Sequence, residues 1–128
     1  MININLNIYK SLIESNPLHI ATVDEHNKPN ISVATNVRIL NEDTLIISCN
    51  EMINTQKNIQ INNNIALTSF NSEWKGVRLF GTAKYYTSGE YYDYCKKTFF
   101  KNNKVSPFGA TKPKGAIVVK IIKINEIK

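Results

Sequence analysis

Asn30-Ile31-Ser32-Val33-Ala34-Thr35-Asn36-Val37-Arg38-Ile39 alternates without a break. Successive side chains of an extended chain point to opposite faces, so Ile31, Val33, Thr35, Val37 and Ile39 share one face and Asn30, Ser32, Ala34, Asn36 and Arg38 the other. The reading is a strand with one face on a core. It is bounded by turn-forming stretches, Asp24-Glu25-His26-Asn27-Lys28-Pro29 before it and Asn41-Glu42-Asp43 after it. Leu18 to Val23 precedes the first turn as a short strand. Leu45-Ile46-Ile47-Ser48-Cys49 follows the second and is apolar on both faces, which requires a central or covered position.

Further along, Ile65 to Phe70 is another strand, and Val77, Leu79, Gly81, Ala83 and Tyr85 alternate with Arg78, Phe80, Thr82, Lys84 and Tyr86 in a long one. Ala116 to Ile124 is the last. Three short helices are expected between them. Ile2, Leu6, Tyr9 and Ile13 form a helical stripe over 4–15, stopped ahead of Pro17. Gln56 to Asn63 is capped by Asn54 or Thr55, and Ser88 caps a helix carrying Tyr91, Cys95 and Phe99 four residues apart. Lys101 to Lys114, with two prolines and a glycine, is expected to be a loop. Six strands joined mainly by short turns predict a mainly-β fold, a six-stranded antiparallel barrel with a few short helices, in one domain over 1–128.

Composition narrows the function classes. The apolar content of 42% is that of an ordinary globular chain, and no apolar run reaches the roughly 18 residues of a membrane span. Met1 to Asn7 lacks the basic n-region of a secretory signal, so the cytoplasm is the expected compartment. Cys49 and Cys95 have no metal-ligand spacing and read as two reduced thiols; His19 and His26 have no third candidate ligand, and no metal is expected. No Ser-His-Asp set, paired-carboxylate motif, phosphate loop or dinucleotide fingerprint is present. The net charge of +6 is uneven: Lys96 to Lys128 holds nine lysines and one acid, so the last third carries +8 and the rest −2. Such asymmetry fits either an anionic partner or solvated lysines on outer strand faces.

From the residues alone, the candidate site is Cys49 to Asn58, where a buried strand runs into a helix start. Unpaired N–H groups and a partial positive charge there suit a phosphate, with Thr55 and Lys57 at hand; simple capping is the structural alternative. Several segments then add up. Leu18-His19-Ile20-Ala21-Thr22-Val23 with Lys28-Pro29-Asn30, Arg38-Ile39-Leu40 with Asp43-Thr44-Leu45, Met52 to Ile59, Asn63-Asn64-Ile65-Ala66-Leu67, Gly81-Thr82-Ala83, Thr87-Ser88-Gly89-Glu90 and Lys114-Gly115-Ala116 resemble, in order and spacing, the pyridoxamine 5′-phosphate oxidase-like split-barrel flavoproteins. The resemblance implies an FMN-binding split barrel that dimerises with the flavin at the subunit interface. It implies flavin contacts at Val33, Ala34, Thr35 and Asn36, at Ile47 and Ser48 on the neighbouring strand, and a phosphate at Met52, Asn54, Thr55 and Lys57. Small relatives carry a Lys where this chain has Asn54, which weakens that phosphate site. Trp74 is either a packing residue or a cover for the flavin or the dimer seam.

The leading expectation is therefore an FMN-dependent oxidoreductase of unassigned substrate, working as a homodimer, with no catalytic residue assigned. Flavin carries the redox chemistry itself, which accounts for the missing acid–base motif. The Arg-Leu-x-Pro-type segment with which pyridoxamine phosphate oxidases hold substrate is not found in Ile121 to Lys128, so that reaction is not expected. A non-catalytic flavin-binding or sensing protein is the alternative, and haem or a deazaflavin in the same fold is a further one. A nucleic-acid-binding small barrel is disfavoured because, between Lys101 and Lys128, Phe108 is the single aromatic among the lysines.

Overall fold

A computed structural model describes residues 4–101 and 111–127. The elements are a 3-10 turn Leu6–Tyr9, α1 Lys10–Ser15, β1 Leu18–Val23, β2 Pro29–Ala34, β3 Val37–Asn41, β4 Thr44–Cys49, α2 Ile53–Ile61, β5 Asn64–Phe70, β6 Gly76–Tyr86, α3 Glu90–Phe99 and β7 Gly115–Ile127. All pairings are antiparallel, in the order β2-β1-β5-β6-β7-β4-β3.

Among the described residues there are seven strands where six were expected, because the alternating run at 30–39 is two strands. Ala34 and Val37 are both buried. Residues three apart cannot share a face of one strand, so the chain turns at Thr35-Asn36 and its inside and outside exchange. Val37 and Ile39 face the core as expected. On β2 the pattern is inverted: Ile31 and Val33 are 72% and 51% exposed, while Ser32 meets α2.

That turn also closes the barrel. The edge strands β2 and β3 are consecutive in the chain, so Thr35-Asn36 crosses the gap between the two ends of the sheet. The Ser48 N–H donates to the Asn36 carbonyl across it at 3.0 Å. Edge strand β3 is further tied by its Ile39 N–H, which donates to the Glu14 carboxylate at 2.9 Å, satisfying a donor that a sheet edge would leave free.

The barrel is filled by Leu18, Ile20, Leu45, Ile47, Leu67, Leu79, Val119 and Ile121, all at most 2% exposed, with Ala34 of β2 and Val37 of β3, and Leu6 and Ile13 pack into the same core. Burying such a side chain contributes about 1.5–3 kcal/mol. The apolar outer face of β4 has its cover: Ile46 packs with Cys95 and Ala116 beneath Tyr91, Tyr94 and Phe99 of α3. Both cysteines are buried and free.

The helices differ in detail from expectation. The first is a 3-10 turn followed by a six-residue α-helix. The second starts at Ile53 with Met52 in the cap position, so Asn54 and Thr55 lie inside its first turn and cap nothing. The third is preceded by Gly89, not Ser88, at φ 92, a conformation glycine adopts at no steric cost. The loop expected at 101–114 lies, over 102–110, outside the described residues. Among the described residues no helix is long and apolar enough to cross a membrane.

Candidate functional site

The gap between the sheet ends forms a cleft of about 50 Å³ lined by Val33, Ala34, Thr35, Asn36, Ser48, Asn50, Glu51 and Met52. Six of the ten residues singled out from the sequence meet there. They come from three places: the end of β2, the crossing turn, and the exit of β4 toward α2. Ser48 is fixed twice, its N–H on Asn36 and its hydroxyl donating to the Asn50 side-chain oxygen at 2.8 Å.

The other four are placed differently. Ile47 points into the barrel core, is fully buried, and is paired with Val37 of β3 and Ile117 of β7, so it does not line the cleft. Asn54 and Lys57 are exposed on the first turns of α2. Thr55 is 1% exposed, and its hydroxyl lies 2.6 Å from that of Ser32 and accepts from the Asn30 amide at 3.3 Å. Thr55 is thus the bolt between α2 and β2, and the buried Asn58 amide, donating to the Thr22 hydroxyl at 3.1 Å, ties α2 to β1. In the first turn of α2 the Ile53 N–H donates to Glu51 and the Gln56 N–H to Met52. The amides of Asn54 and Thr55 remain as the donors for an anion.

Sequence reasoning included Asn50 and Glu51 in the candidate segment without giving either a role, and did not bring Lys114 to the site. Glu51 places a carboxylate at the cleft, and the Lys114 ammonium sits 3.9 Å from it. Lys114 is held there because its N–H donates to the Cys49 carbonyl at 2.8 Å. Non-local pairing of β4 with β7 brings these residues together, and no local pattern announces it. Behind the cleft, burial pushes the Cys49 thiol up, and burial first, then Cys49, raises the Tyr85 phenol to about 12. Both stay protonated at neutral pH and offer no charge to the site.

The outer face of β1 carries a stack in which the His19 ring centre lies 5.5 Å from that of Phe70 and the Phe70 centre 5.3 Å from that of Trp74, the rings nearly parallel in both cases. Trp74 is 73% exposed at φ 62. A concavity of about 820 Å³ lies between the end of α2, the β1–β2 turn and the end of β6, and contains none of the ten residues. It is an open groove lined by solvated side chains such as Asn27, Gln60 and Asn62. Convergent, fixed polar groups favour the cleft at the barrel split as the site.

A closed antiparallel sheet split at one seam, with a helix start at the mouth of the seam, defines a split-barrel protein. The chain belongs to the pyridoxamine 5′-phosphate oxidase family, whose sequence profile matches residues 7–127. It is 32% identical over 118 residues to an uncharacterized protein of Methanocaldococcus jannaschii, covering 91% of this chain and 76% of that one. Among solved structures it superposes on HupZ of Group A Streptococcus with a TM-score of 0.82 and 28% identity, over 99% of this chain and 94% of that one. An FMN-binding protein of Syntrophomonas wolfei superposes with a TM-score of 0.80 at 24% identity, over 96% and 86% of the two chains. The fold is also that of an F420 reductase and of the heme storage protein of Vibrio cholerae.

Proposed function

We propose that the protein is an FMN-binding redox protein, acting on a substrate still to be assigned, whose flavin lies between two copies of the chain. The observation that carries this reading is the cleft at the barrel split, where Val33, Ala34, Thr35, Asn36, Ser48 and Met52 converge beside the start of α2.

The residues present fit such a group. Val33 offers an apolar wall. Asn36 and Asn50 offer amide groups, and Thr35 adds a hydroxyl. The free amides of Asn54 and Thr55, with the exposed Lys57, suit a phosphate. The role of Thr55 in this reading belongs to its N–H, since its hydroxyl is engaged by Ser32. Glu51 would repel a phosphate, and Lys114 beside it offsets that charge. When bound, the flavin supplies the hydride or electron transfer, and the protein contributes position and electrostatics.

A volume of about 50 Å³ is well below the roughly 300 Å³ at which ligand pockets begin. One copy therefore supplies one wall. The exposed Ile31 and Val33 on edge strand β2 are the apolar surface on which a second copy would complete the site, by a two-fold, self-complementary contact.

The test is the absorption spectrum of freshly purified protein, followed by titration of the cofactor-free form with FMN and riboflavin. A flavin spectrum with tighter binding of FMN supports the proposal. A Soret band assigns haem instead, and failure to take up either flavin refutes it.

A further inference from the structure

Val33 lines the cleft and also belongs to the outer face of β2, β1, β5 and β6. On that face the register sets Val33, His19, Thr68 and Arg78 side by side in one row, and Ile31, Ala21, Ala66 and Phe80 in the next. The alanines keep the middle low, and His19 lies against Phe70. The result is a trough of about 200 Å³ floored by Ala21, Ala66 and Thr68. Its walls are the exposed Ile31 on β2 and Arg78 with Phe80 on β6. The bulge at Phe80/Gly81 sets Lys123 behind that second wall, its ammonium 5.5 Å from the centre of the Phe80 ring.

A ridge beside a trough on one face constrains how a second copy can seat. A two-fold axis across the strands would set β2 against β2, ridge on ridge, and leave the two troughs facing each other empty. A two-fold axis along the strands reverses the strand order, so the Ile31 and Val33 ridge of each copy enters the trough of the other. The strands of the two copies then stay aligned, as in packed sheets. Strands lie about 4.8 Å apart, so each wall stands about 7 Å from the middle of the trough. With the β2 ridge seated mid-trough, β6 of the second copy lies about 7 Å beyond β2 of the first, over the cleft. The same axis keeps each row facing its own row, which puts the partner's Arg78 beside Val33. The two copies of Arg78 stand about 21 Å apart, well beyond the Debye length of about 10 Å, so their like charge does not oppose the seam.

We propose that Arg78 of each copy completes the flavin site of the other, bringing a guanidinium to the ring side of the cleft. The inference rests on the reading of the cleft as a flavin site shared by two copies. Glu51 is the one charged side chain among the described residues that line the cleft, so one copy brings no cation of its own to that wall. Arg78 is exposed, and among the described residues it is in salt-bridge contact with no carboxylate. Ser32 faces Thr55 of α2, and its neighbour Val33 points the opposite way. The start of α2 and the partner's Arg78 therefore approach the cleft from opposite sides of β2, the first suited to a phosphate and the second to the ring. A flavin ring gains negative charge on reduction, and a fixed cation beside it favours the reduced form.

The experiment is flavin titration and redox potentiometry of Arg78→Gln, followed by subunit mixing. Arg78→Gln should remain a dimer in light scattering and weaken FMN and riboflavin by the same factor, about tenfold. It should weaken the reduced flavin about tenfold more than the oxidised one, which lowers the midpoint potential by about 30 mV. Arg78→Lys should restore most of that potential. Thr35→Trp fills the cleft from its exposed turn and should bind no flavin as a homodimer. A mixed dimer of Thr35→Trp with Arg78→Gln has one natural cleft, faced by the natural Arg78 of its partner. It should bind one FMN with the affinity of the natural protein. Binding there at the weakened affinity would mean that Arg78 does not act across the seam, and would overturn the proposal. Unchanged affinity and potential in Arg78→Gln, or loss of its dimer, would overturn it as well. A natural chain that takes up no flavin defeats the reading of the cleft and this inference with it, whereas uptake that Arg78→Gln leaves intact defeats the inference alone.

Discussion

Thr55→Val removes one hydroxyl while keeping the shape of the side chain, at the point where α2 is bolted to β2. The Thr55 oxygen is 1% exposed, lies 2.6 Å from the Ser32 hydroxyl and takes the Asn30 amide at 3.3 Å. A net hydrogen bond is worth about 0.5–1.5 kcal/mol, and a partner left unsatisfied out of water costs about 1–3 kcal/mol. The 3.3 Å bond is long and Asn30 is only partly buried, so the Ser32 contact dominates and a loss of about 1–3 kcal/mol is expected. Urea denaturation should show it as a lower midpoint at unchanged slope. In a double-mutant cycle, Ser32→Ala combined with Thr55→Val should cost less than the sum of the two, because the second change removes a partner already lost. FMN and riboflavin should weaken by the same factor, since the hydroxyl sets the pose of α2 and does not meet the phosphate. A variant as stable as the natural chain that binds FMN selectively worse would refute the argument, because the hydroxyl would then face the ligand.

Ile31→Glu places a charge on the exposed apolar strand that the proposed dimer covers, and light scattering should show it as a monomer while the natural chain is a dimer. Gly81→Ala would set a methyl 2.1 Å from the Lys120 carbonyl oxygen, inside the paired backbone of β6 and β7. The backbone must shift, so a loss of about 3 kcal/mol or more is expected in thermal or urea unfolding. The Cys95 thiol is pushed up to about 12, first by burial and then by Cys49, so at pH 8 it should resist an aromatic disulfide reagent in the native state and react in denaturant. Its folded value lies above the ordinary 9.0. The stability that this difference contributes is present below pH 9 and is lost as pH rises from about 9 toward 12. The stability of Cys95→Ala should fall less steeply over that range.

What the sequence by itself determined is local. The alternating run Val77 to Tyr86 and the short turn-bounded segments Leu18 to Val23 and Ile65 to Phe70 specify strands, because alternation of side chains is a property of the extended backbone and needs no neighbour. The doubly apolar Leu45 to Cys49 also announced a covered strand, and α3 is the cover. Tertiary structure decided which face of each run is inside. The run at 30–39 looks continuous, yet it must join the two ends of a closing sheet, and the turn at Thr35-Asn36 exposes Ile31 and Val33 while burying Val37. The same holds for Lys123, which a bulge sets beside Phe80, and for Lys114, which β-pairing brings to Glu51. Thr55 sits at a helix start that invites a capping role, but packing against Ser32 fixes the hydroxyl and Met52 takes the cap position. In each case the outcome depends on a partner ten or more residues away in the chain. Sequence periodicity carries no record of such a partner, because barrel closure and strand register are set by burial and hydrogen bonding summed over the whole sheet.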